Sequence, residues 1–177
     1  RPNLQVKMPS FHQINDEDWD AIISYFQHID SENINYRGIH QFDPLSNEFA
    51  AGAKLHEIGQ CNSCHFYGEE FPTGDPPTWA ANLALTKERL NAGWVTEWLK
   101  NPQSIMPGTK MPAPYVPDSE ILSLEGAEND WGNALVTLNG DTTAMLDGLR
   151  DYLWNIKGKT NIDALIKAYF AENGYDF

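Results

Sequence analysis

Two cysteines and a histidine stand together in the stretch GQCNSCHFYG, residues 59–68, and their types and spacing indicate chemistry. Cys61 and Cys64 are separated by two residues, and His65 follows directly. The chain contains only these two cysteines. Any proposed use of the motif must therefore account for two thiols and one imidazole at adjacent positions.

Four uses of this motif compete. A disulfide between Cys61 and Cys64 leaves His65 without a role. A thioredoxin-like redox pair belongs to a chain of alternating strands and helices, a pattern that this sequence lacks. A structural zinc site needs four ligands, and the motif supplies three. Covalent haem attachment uses all three groups, because each thiol adds to one haem vinyl and the histidine ligates the iron.

A second axial ligand for such an iron is offered by SIMPGTKMPAP, residues 104–114. Met111 lies 46 residues after His65, and prolines stiffen the chain around it. Its flexible thioether therefore has little conformational entropy left to lose on binding. A lone methionine is usually core filler, but the Pro-Gly-Thr-Lys-Met-Pro context favours ligation by Met111. Met106, in the same stretch, is the fallback ligand.

The motif CNSCH, followed by WVTEWLKNPQSIMPGTKMP, resembles class I c-type cytochromes, specifically bacterial monohaem cytochrome c domains. The resemblance covers roughly residues 47–112. It implies a cytochrome c-like fold of three or more helices around one haem c, bound through Cys61 and Cys64. It also implies His65 and Met111 as the iron ligands. The first and last helices should cross at a small residue, here Gly52 against Leu149, Tyr152 or Leu153.

Other site residues follow from the same resemblance. Arg89, Trp94 and Trp98 match positions that wall the haem or contact its propionates, although ordinary helix packing explains them too. Relatives often have Ala-Pro-Asn-Leu where this chain has Ala-Ala-Asn-Leu, residues 80–83. The carbonyl that should accept the His65 N–H is therefore open between Ala80, Ala81 and Pro77. His56 stands where an aromatic residue is common, and it is a rival iron ligand.

The sequence predicts an all-α protein, because apolar residues recur at helical spacing and no convincing strand is found. The five prolines in 102–117 exclude regular structure there. Residues 118–130 hold five acids and no base, which indicates an exposed insertion. The predicted helices cover residues 14–30, 46–59, 86–100, 142–156 and 161–170.

Three segments are predicted along the chain. Residues 1–45 form an N-terminal segment with one amphipathic helix, residues 46–160 a cytochrome c domain with an acidic insertion at 113–141, and residues 161–177 a C-terminal helical tail. The stretch VKMPSF near the start resembles the end of another cytochrome c domain. It is interpreted as the remainder of a longer or lost haem domain, with chance likeness or ligation of another iron by Met8 as alternatives.

Composition limits the classes of partner. The formal net charge of −13 argues against nucleic acid, and no apolar run is long enough to span a membrane. The acidity indicates either solubility or steering of a basic partner. Lys87, Lys100 and Lys110 lie in the nearly neutral middle of the chain, where they are either plain surface lysines or groups that orient a partner.

The function implied by the resemblance is electron transfer rather than catalysis. His/Met ligation fills both axial positions of the iron, so no site remains for a substrate. The expected partners are a redox protein donor and acceptor, including other cytochromes or subunits of a membrane respiratory complex. One alternative is a cytochrome subunit permanently docked in such a complex, and another is a catalytic haem c enzyme such as a peroxidase. The implied location is the periplasm or another extracytoplasmic compartment.

Overall fold

A computed structural model of the chain describes residues 13–32 and 40–175. The chain divides into two compact units, of which one is His40–Asp163. The other combines the residues before it with those from Ala164 onwards. The cysteine–histidine motif and the predicted domain 46–160 lie in the 40–163 unit, whereas Met8 and its neighbours lie outside the described residues.

The described part of the chain is all-helical, as predicted. Within it only two isolated β-bridges occur, His65 with Ala80 and Tyr67 with Glu70. None of the described helices is long and apolar enough to cross a membrane. The helices are α1 (Asp16–Glu32), α2 (Asn47–Ile58), α3 (Thr86–Arg89), α4 (Ala92–Lys100), α5 (Pro102–Ile105), α6 (Ser119–Leu122), α7 (Ala127–Leu138), α8 (Thr142–Asn155) and α9 (Asp163–Asn173). Helix α5 shows that the prolines do not exclude regular structure throughout 102–117, because Pro102 occupies the first helical position, where its missing N–H costs no hydrogen bond.

Helix α1 begins where the sequence predicts. The Asn15 side chain accepts a hydrogen bond from the Asp18 N–H at 2.8 Å, and three acids occupy the first turn, where the helix dipole favours them. The helix exposes large apolar side chains, including Ile23 at 50%, Tyr25 at 61% and Phe26 at 59%.

Helices α2 and α8 cross at two glycines, and this contact closes the 40–163 unit. A Cβ atom on Gly52 would lie 2.0 Å from the Gly148 carbonyl oxygen and 2.4 Å from the Leu149 nitrogen. A Cβ atom on Gly148 would lie 1.8 Å from the Glu48 carbonyl oxygen. Gly52 and Leu149 therefore meet as expected, but the closest approach involves Gly148, which the sequence analysis did not single out.

The hydrophobic core lies around this crossing. Its buried residues come from α2, α4, α6, α7 and α8. Leu55, Leu135, Met145 and Leu149 are completely buried. Partly buried side chains that pack on the core include Ile58, Leu83, Trp94 and Met111, so this core supports both the cysteine-bearing turn and the methionine loop.

The helix predicted over 86–100 is two helices. Helix α3 ends at Arg89, and Leu90 has an extended backbone. Asn91 then begins α4, because its side chain accepts a hydrogen bond from the Trp94 N–H at 3.1 Å. An asparagine in front of an apolar helix is a common N-cap, so Asn91 is a sequence signal for a helix break. The helical spacing of Leu90 and Trp94 across this position instead predicts one continuous helix.

The acidic stretch is not an exposed insertion as a whole. It forms α6 and the start of α7, and Leu122 and Ala127 are buried at 3% and 5% exposure. Leu135, later in α7, is fully buried. The five acids lie on the solvent side of these helices. The charge pattern correctly predicts the solvent-exposed face of this segment. It does not predict the burial of the few apolar residues that anchor the segment to the core.

A charged cluster joins α8 to α4 and to the chain before α2. The Arg150 guanidinium donates to Asp151 at 2.8 Å, to Asp147 at 2.6 Å and to the Thr96 hydroxyl at 3.1 Å. His40 Nε2 lies 2.6 Å from the same Asp151 oxygen. Asp151 is only 9% exposed. This cluster fixes the orientation of α4, which carries Trp94 and Trp98.

Candidate functional site

The cysteine-bearing turn directly follows α2. Gln60 adopts a left-handed conformation with φ of 47°, which turns the chain out of the helix. Residues Cys61–Ser63 then form a short 3₁₀ helix, and the His65 N–H donates to the Cys61 carbonyl at 3.0 Å. Both cysteines are half-buried free thiols. The two thiols and the imidazole therefore emerge from one compact turn.

The His65 ring is oriented by a backbone carbonyl. Its Nδ1 lies 2.7 Å from the Ala81 oxygen. A carbonyl oxygen only accepts hydrogen bonds, so Nδ1 carries the proton and Nε2 keeps its lone pair for another partner. Among the three carbonyls left open by the sequence, this identifies Ala81. Ala80 instead donates its N–H to the Cys64 carbonyl at 2.7 Å, and the exposed Pro77 is not the partner of His65.

Asn82 holds this carbonyl in place, a role that sequence reasoning missed. The side chain is buried at 8% exposure. Its oxygen accepts from the Gly68 and Ala84 N–H groups at 2.9 and 3.1 Å. Its nitrogen donates to the Gly68 and Lys159 carbonyls at 2.9 and 3.3 Å. A buried asparagine with all these bonds ties the segment after His65 to the segment that carries Ala81.

The electrostatics of the turn favour a neutral imidazole. Burial lowers the pKa of His65, and the hydrogen bond to Ala81 offsets part of this effect. Burial also raises the pKa of the Cys61 thiol, a backbone hydrogen bond opposes the shift, and Cys64 adds to it. A redox-active cysteine normally has a lowered pKa, so the direction of the Cys61 shift does not favour a thiol–disulfide exchange role.

His56 is engaged by two tyrosines rather than directed at a ligand site. Its Nε2 is hydrogen-bonded to the Tyr67 hydroxyl, and its ring centroid lies 4.7 Å from that of Tyr152. Burial lowers the pKa of His56, with a smaller contribution from His65. Burial raises the pKa of Tyr67, with a smaller contribution from Cys61. The Nε2 nitrogen of His56 is therefore already engaged, which argues against this nitrogen as an iron ligand.

The Met111 thioether is held by a tryptophan. The Trp98 indole N–H lies 2.9 Å from the Met111 sulfur. The Trp94 ring stacks on Trp98 at 5.2 Å with an interplanar angle of 16°. Both tryptophans are on α4, one turn apart, so the helix sets the position of the donor. A thioether sulfur has two lone pairs, and one remains available for a metal.

The other predicted residues are placed differently. Met106 is 58% exposed, in contrast to the half-buried Met111. Arg89 is exposed near the end of α3 and lines a surface cleft with Leu85, Thr160, Asn161 and Asp163. The structure therefore distinguishes the two methionines clearly, and it gives Arg89 a solvent-facing position.

Both halves of the candidate site rest on one core. Ile58 and Leu83, which flank the cysteine turn and the Ala81 carbonyl, pack on it, as does Met111. Within the described residues, no group of three or more histidine, cysteine, aspartate or glutamate side chains is arranged to hold a metal ion.

No family model, curated protein or solved structure matches this chain. The features that bear on function are therefore the cysteine-bearing turn, the Ala81 carbonyl that orients His65 and the Met111 sulfur beside Trp98.

Proposed function

We propose that this protein binds one haem c covalently and transfers single electrons between redox partners. Cys61 and Cys64 would form the thioether links, and His65 and Met111 would be the axial ligands. The observation that carries the proposal is the pairing of His65 Nδ1 with the Ala81 oxygen at 2.7 Å, one residue after two free thiols. It leaves a neutral Nε2, which is the form of histidine that binds iron.

The donor set fits a haem of this kind. Each S–H would add across one vinyl double bond, with sulfur joining one carbon and hydrogen the other, so no oxidant or leaving group is needed. The carbonyl bond to Nδ1 makes the imidazole a stronger donor and fixes its ring plane. Thioether ligation favours Fe(II) and raises the reduction potential. With both axial positions filled, the chain would act as a carrier rather than an enzyme.

The covalent link is tested on protein that is expressed with a haem c maturation system and exported from the cytoplasm. Export is needed because the proposed location is extracytoplasmic. We expect an intact mass that exceeds the polypeptide by one haem and colour that survives acid–acetone extraction. The double variant Cys61→Ala, Cys64→Ala should lose the covalent mass. An unmodified mass for the wild-type chain under these conditions would contradict the proposal.

Met111→Ala should remove the distal ligand. We expect the ferric protein to lose the weak far-red absorption band of sulfur-ligated haem, and the ferrous protein to bind carbon monoxide rapidly, because an axial position opens. Met106→Ala is the matched control, since its exposed side chain should leave both signals unchanged. Equal spectra for wild type and Met111→Ala would exclude Met111 as the ligand.

Trp98→Phe should lower the reduction potential. The indole N–H withdraws electron density from the Met111 sulfur, so the sulfur donates less strongly to Fe(III), and its loss should favour the oxidised state. Trp94→Phe keeps this donor and is the control for ring packing. Redox titration measures the change in potential, and thermal unfolding measures any loss of packing. Equal reduction potentials in the two variants would show that the Trp98 N–H does not tune the potential.

One observation favours the alternative function, in which this protein is a subunit docked in a larger assembly. Helix α1 exposes Ile23, Tyr25 and Phe26 on a short segment, more apolar side chains than a solvated helix usually presents together. Size-exclusion chromatography of the protein from its native source distinguishes the two forms. A subunit should elute in a larger complex and a free carrier at its own mass.

A further inference from the structure

Helix α1 repeats the sequence pattern of α8. Residues 20–29 read DAIISYFQHI, and residues 147–156 read DGLRDYLWNI. Both stretches have, at the same spacing, an aspartate, a small residue, an aliphatic residue, a tyrosine, an apolar residue and an isoleucine. Each also follows a Lys-Met-Pro tripeptide, at residues 7–9 and 110–112. The shared pattern predicts that the two helices present the same kind of apolar face.

In α8 this pattern forms the face that packs on α2. Gly148 lies against Gly52, and the Tyr152 ring centroid lies 4.7 Å from that of His56 and 5.8 Å from that of Phe49. The two small residues let the helix backbones approach, and the tyrosine fills the space between two aromatic side chains. Helix α2 therefore supplies a glycine with aromatic side chains three residues before it and four residues after it.

The corresponding face of α1 is exposed. Ile22 corresponds to Leu149 in the repeated pattern, yet Ile22 is 37% exposed and Leu149 is 1% exposed. Tyr25 and Phe26, which follow in the pattern, are 61% and 59% exposed. In the part of the chain that the structure describes, this face of α1 is therefore not covered as α2 covers the face of α8.

A second copy of this chain does not fit this face. The α2 helix of a second copy is already covered by its own α8, which crosses it at Gly148. Helix α1 could not take that place, because Ala21 stands where α8 has Gly148, and a Cβ there would lie 1.8 Å from the Glu48 carbonyl oxygen. Asp18 also stands where α8 has the fully buried Met145. The partner helix must therefore resemble α2 without being α2.

The segments next to α2 and α8 indicate what the partner helix leads into. Helix α2 is followed directly by the turn of Cys61, Cys64 and His65. The Lys-Met-Pro tripeptide that precedes α8 in the chain contains Met111, the proposed second ligand. Since the same tripeptide precedes α1, we expect the partner of α1 to lead into a cysteine–histidine turn as well.

We propose that the exposed face of α1 is the docking site for an α2-type helix that lies outside these 177 residues and leads into a Cys-x-x-Cys-His turn of its own. A glycine on this helix would make room for the Cβ of Ala21, and two aromatic residues would enclose Tyr25, as Phe49 and His56 enclose Tyr152. Docking of an amphipathic helix through its apolar face is a common mode of recognition. This inference rests on the proposed function, because it makes α1 the closing helix of a second haem unit.

Site-specific photo-crosslinking in cells of the native source tests the docking site. The photoreactive residue p-benzoylphenylalanine replaces Tyr25 in the full chain. In a control chain it replaces Gln27, which lies roughly 200° further around the helix. The crosslinked peptides are sequenced after irradiation. We expect product from the Tyr25 position and its loss at the Gln27 position, and the partner peptide should lie shortly before a Cys-x-x-Cys-His motif other than that of this chain.

Two aspartate variants provide matched controls for the crosslink from the Tyr25 position. Ile22→Asp places a charge on the docking face and should lower the yield about tenfold or more, the loss typical of a central interface residue. Ile23→Asp makes the same change at the position equivalent to Arg150, which donates to Thr96 of α4, and should change the yield less than about twofold. The haem spectrum should be unchanged in both variants, because α1 lies outside the 40–163 unit.

The possible outcomes separate this inference from the proposed function. A crosslink to a second copy of this chain, to lipid or to a segment without a cysteine–histidine turn would overturn the docking site. Equal yields at the Tyr25 and Gln27 positions, or no product at either, would do the same. In each of these cases one covalent haem on the chain still supports the proposed function. A chain from the native source without covalent haem would instead defeat the proposed function, and this inference with it.

Discussion

Gly148→Ala should prevent the 40–163 unit from folding stably. The new Cβ would lie 1.8 Å from the Glu48 carbonyl oxygen and 2.5 Å from its carbon. Both are backbone atoms of α2, so no side chain can move aside, and the two helices must separate. Overpacking costs typically 1–3 kcal/mol where side chains can adjust. We therefore expect a loss of about 3 kcal/mol or more in the free energy of unfolding.

Chemical denaturation of the purified protein measures this loss, and Gly93→Ala is the matched control. Gly93 lies in the first turn of α4, where a Cβ would meet only the Asn91 side chain at 3.3 Å. Alanine favours the helix over glycine by about 1 kcal/mol, which offsets the small shift required of the Asn91 capping oxygen, so this variant should change stability by less than about 1 kcal/mol. Equal midpoints for the two variants would show that α2 and α8 do not cross as closely as described.

Arg150→Met should have the next largest effect on stability. The guanidinium is the donor common to Asp147 and Asp151, and its side chain is only 13% exposed. Removing it leaves two carboxylates near each other, one of them buried. Breaking a buried ion pair from one side typically costs 3–5 kcal/mol. Because Asp147 is 37% exposed, we expect the lower end, about 3 kcal/mol.

Thermal unfolding of three variants isolates the cause. Arg150→Met combined with Asp151→Asn should recover part of the loss, because the buried charge is removed with its partner. Lys54→Met breaks the exposed Lys54–Glu57 pair and should change stability by less than about 0.5 kcal/mol. A double variant no more stable than Arg150→Met would indicate that packing of the arginine stem, rather than charge, is lost.

The sequence shows the cysteine–histidine turn more clearly than it shows the residues that support this turn. Cys61, Cys64 and His65 are adjacent, so their shared turn follows directly from the motif. The choice of Ala81 over Pro77 could not be made, since every residue offers the same carbonyl and only the fold decides which one faces the ring. Asn82 carried a signal, a polar residue between apolar ones, but three of its four hydrogen bonds involve Gly68 and Lys159, which are distant in sequence.

Dependence on distant contacts also explains the segments whose predicted structure is wrong. The only sequence signal for the break before α4 is the capping residue Asn91, and the helical spacing of the apolar residues on either side of it favours one continuous helix. In the acidic stretch, five charges outweigh the few apolar residues that anchor it, so its composition predicts a fully exposed segment. Arg150 and Asp151 gave no signal at all, because neighbouring opposite charges on a helix usually lie in solvent. Their burial is a property of the packed structure and not of local sequence.

The glycine crossing also bears on the order of events during biogenesis. Glu48 and Gly148 touch although a hundred residues separate them, and bringing distant segments together carries an entropic penalty that increases with chain length. The cysteine turn, by contrast, is assembled from neighbouring residues. Such a chain would form the turn with its two sulfurs early and accept α8 last, so attachment of the proposed haem would precede the docking of α8.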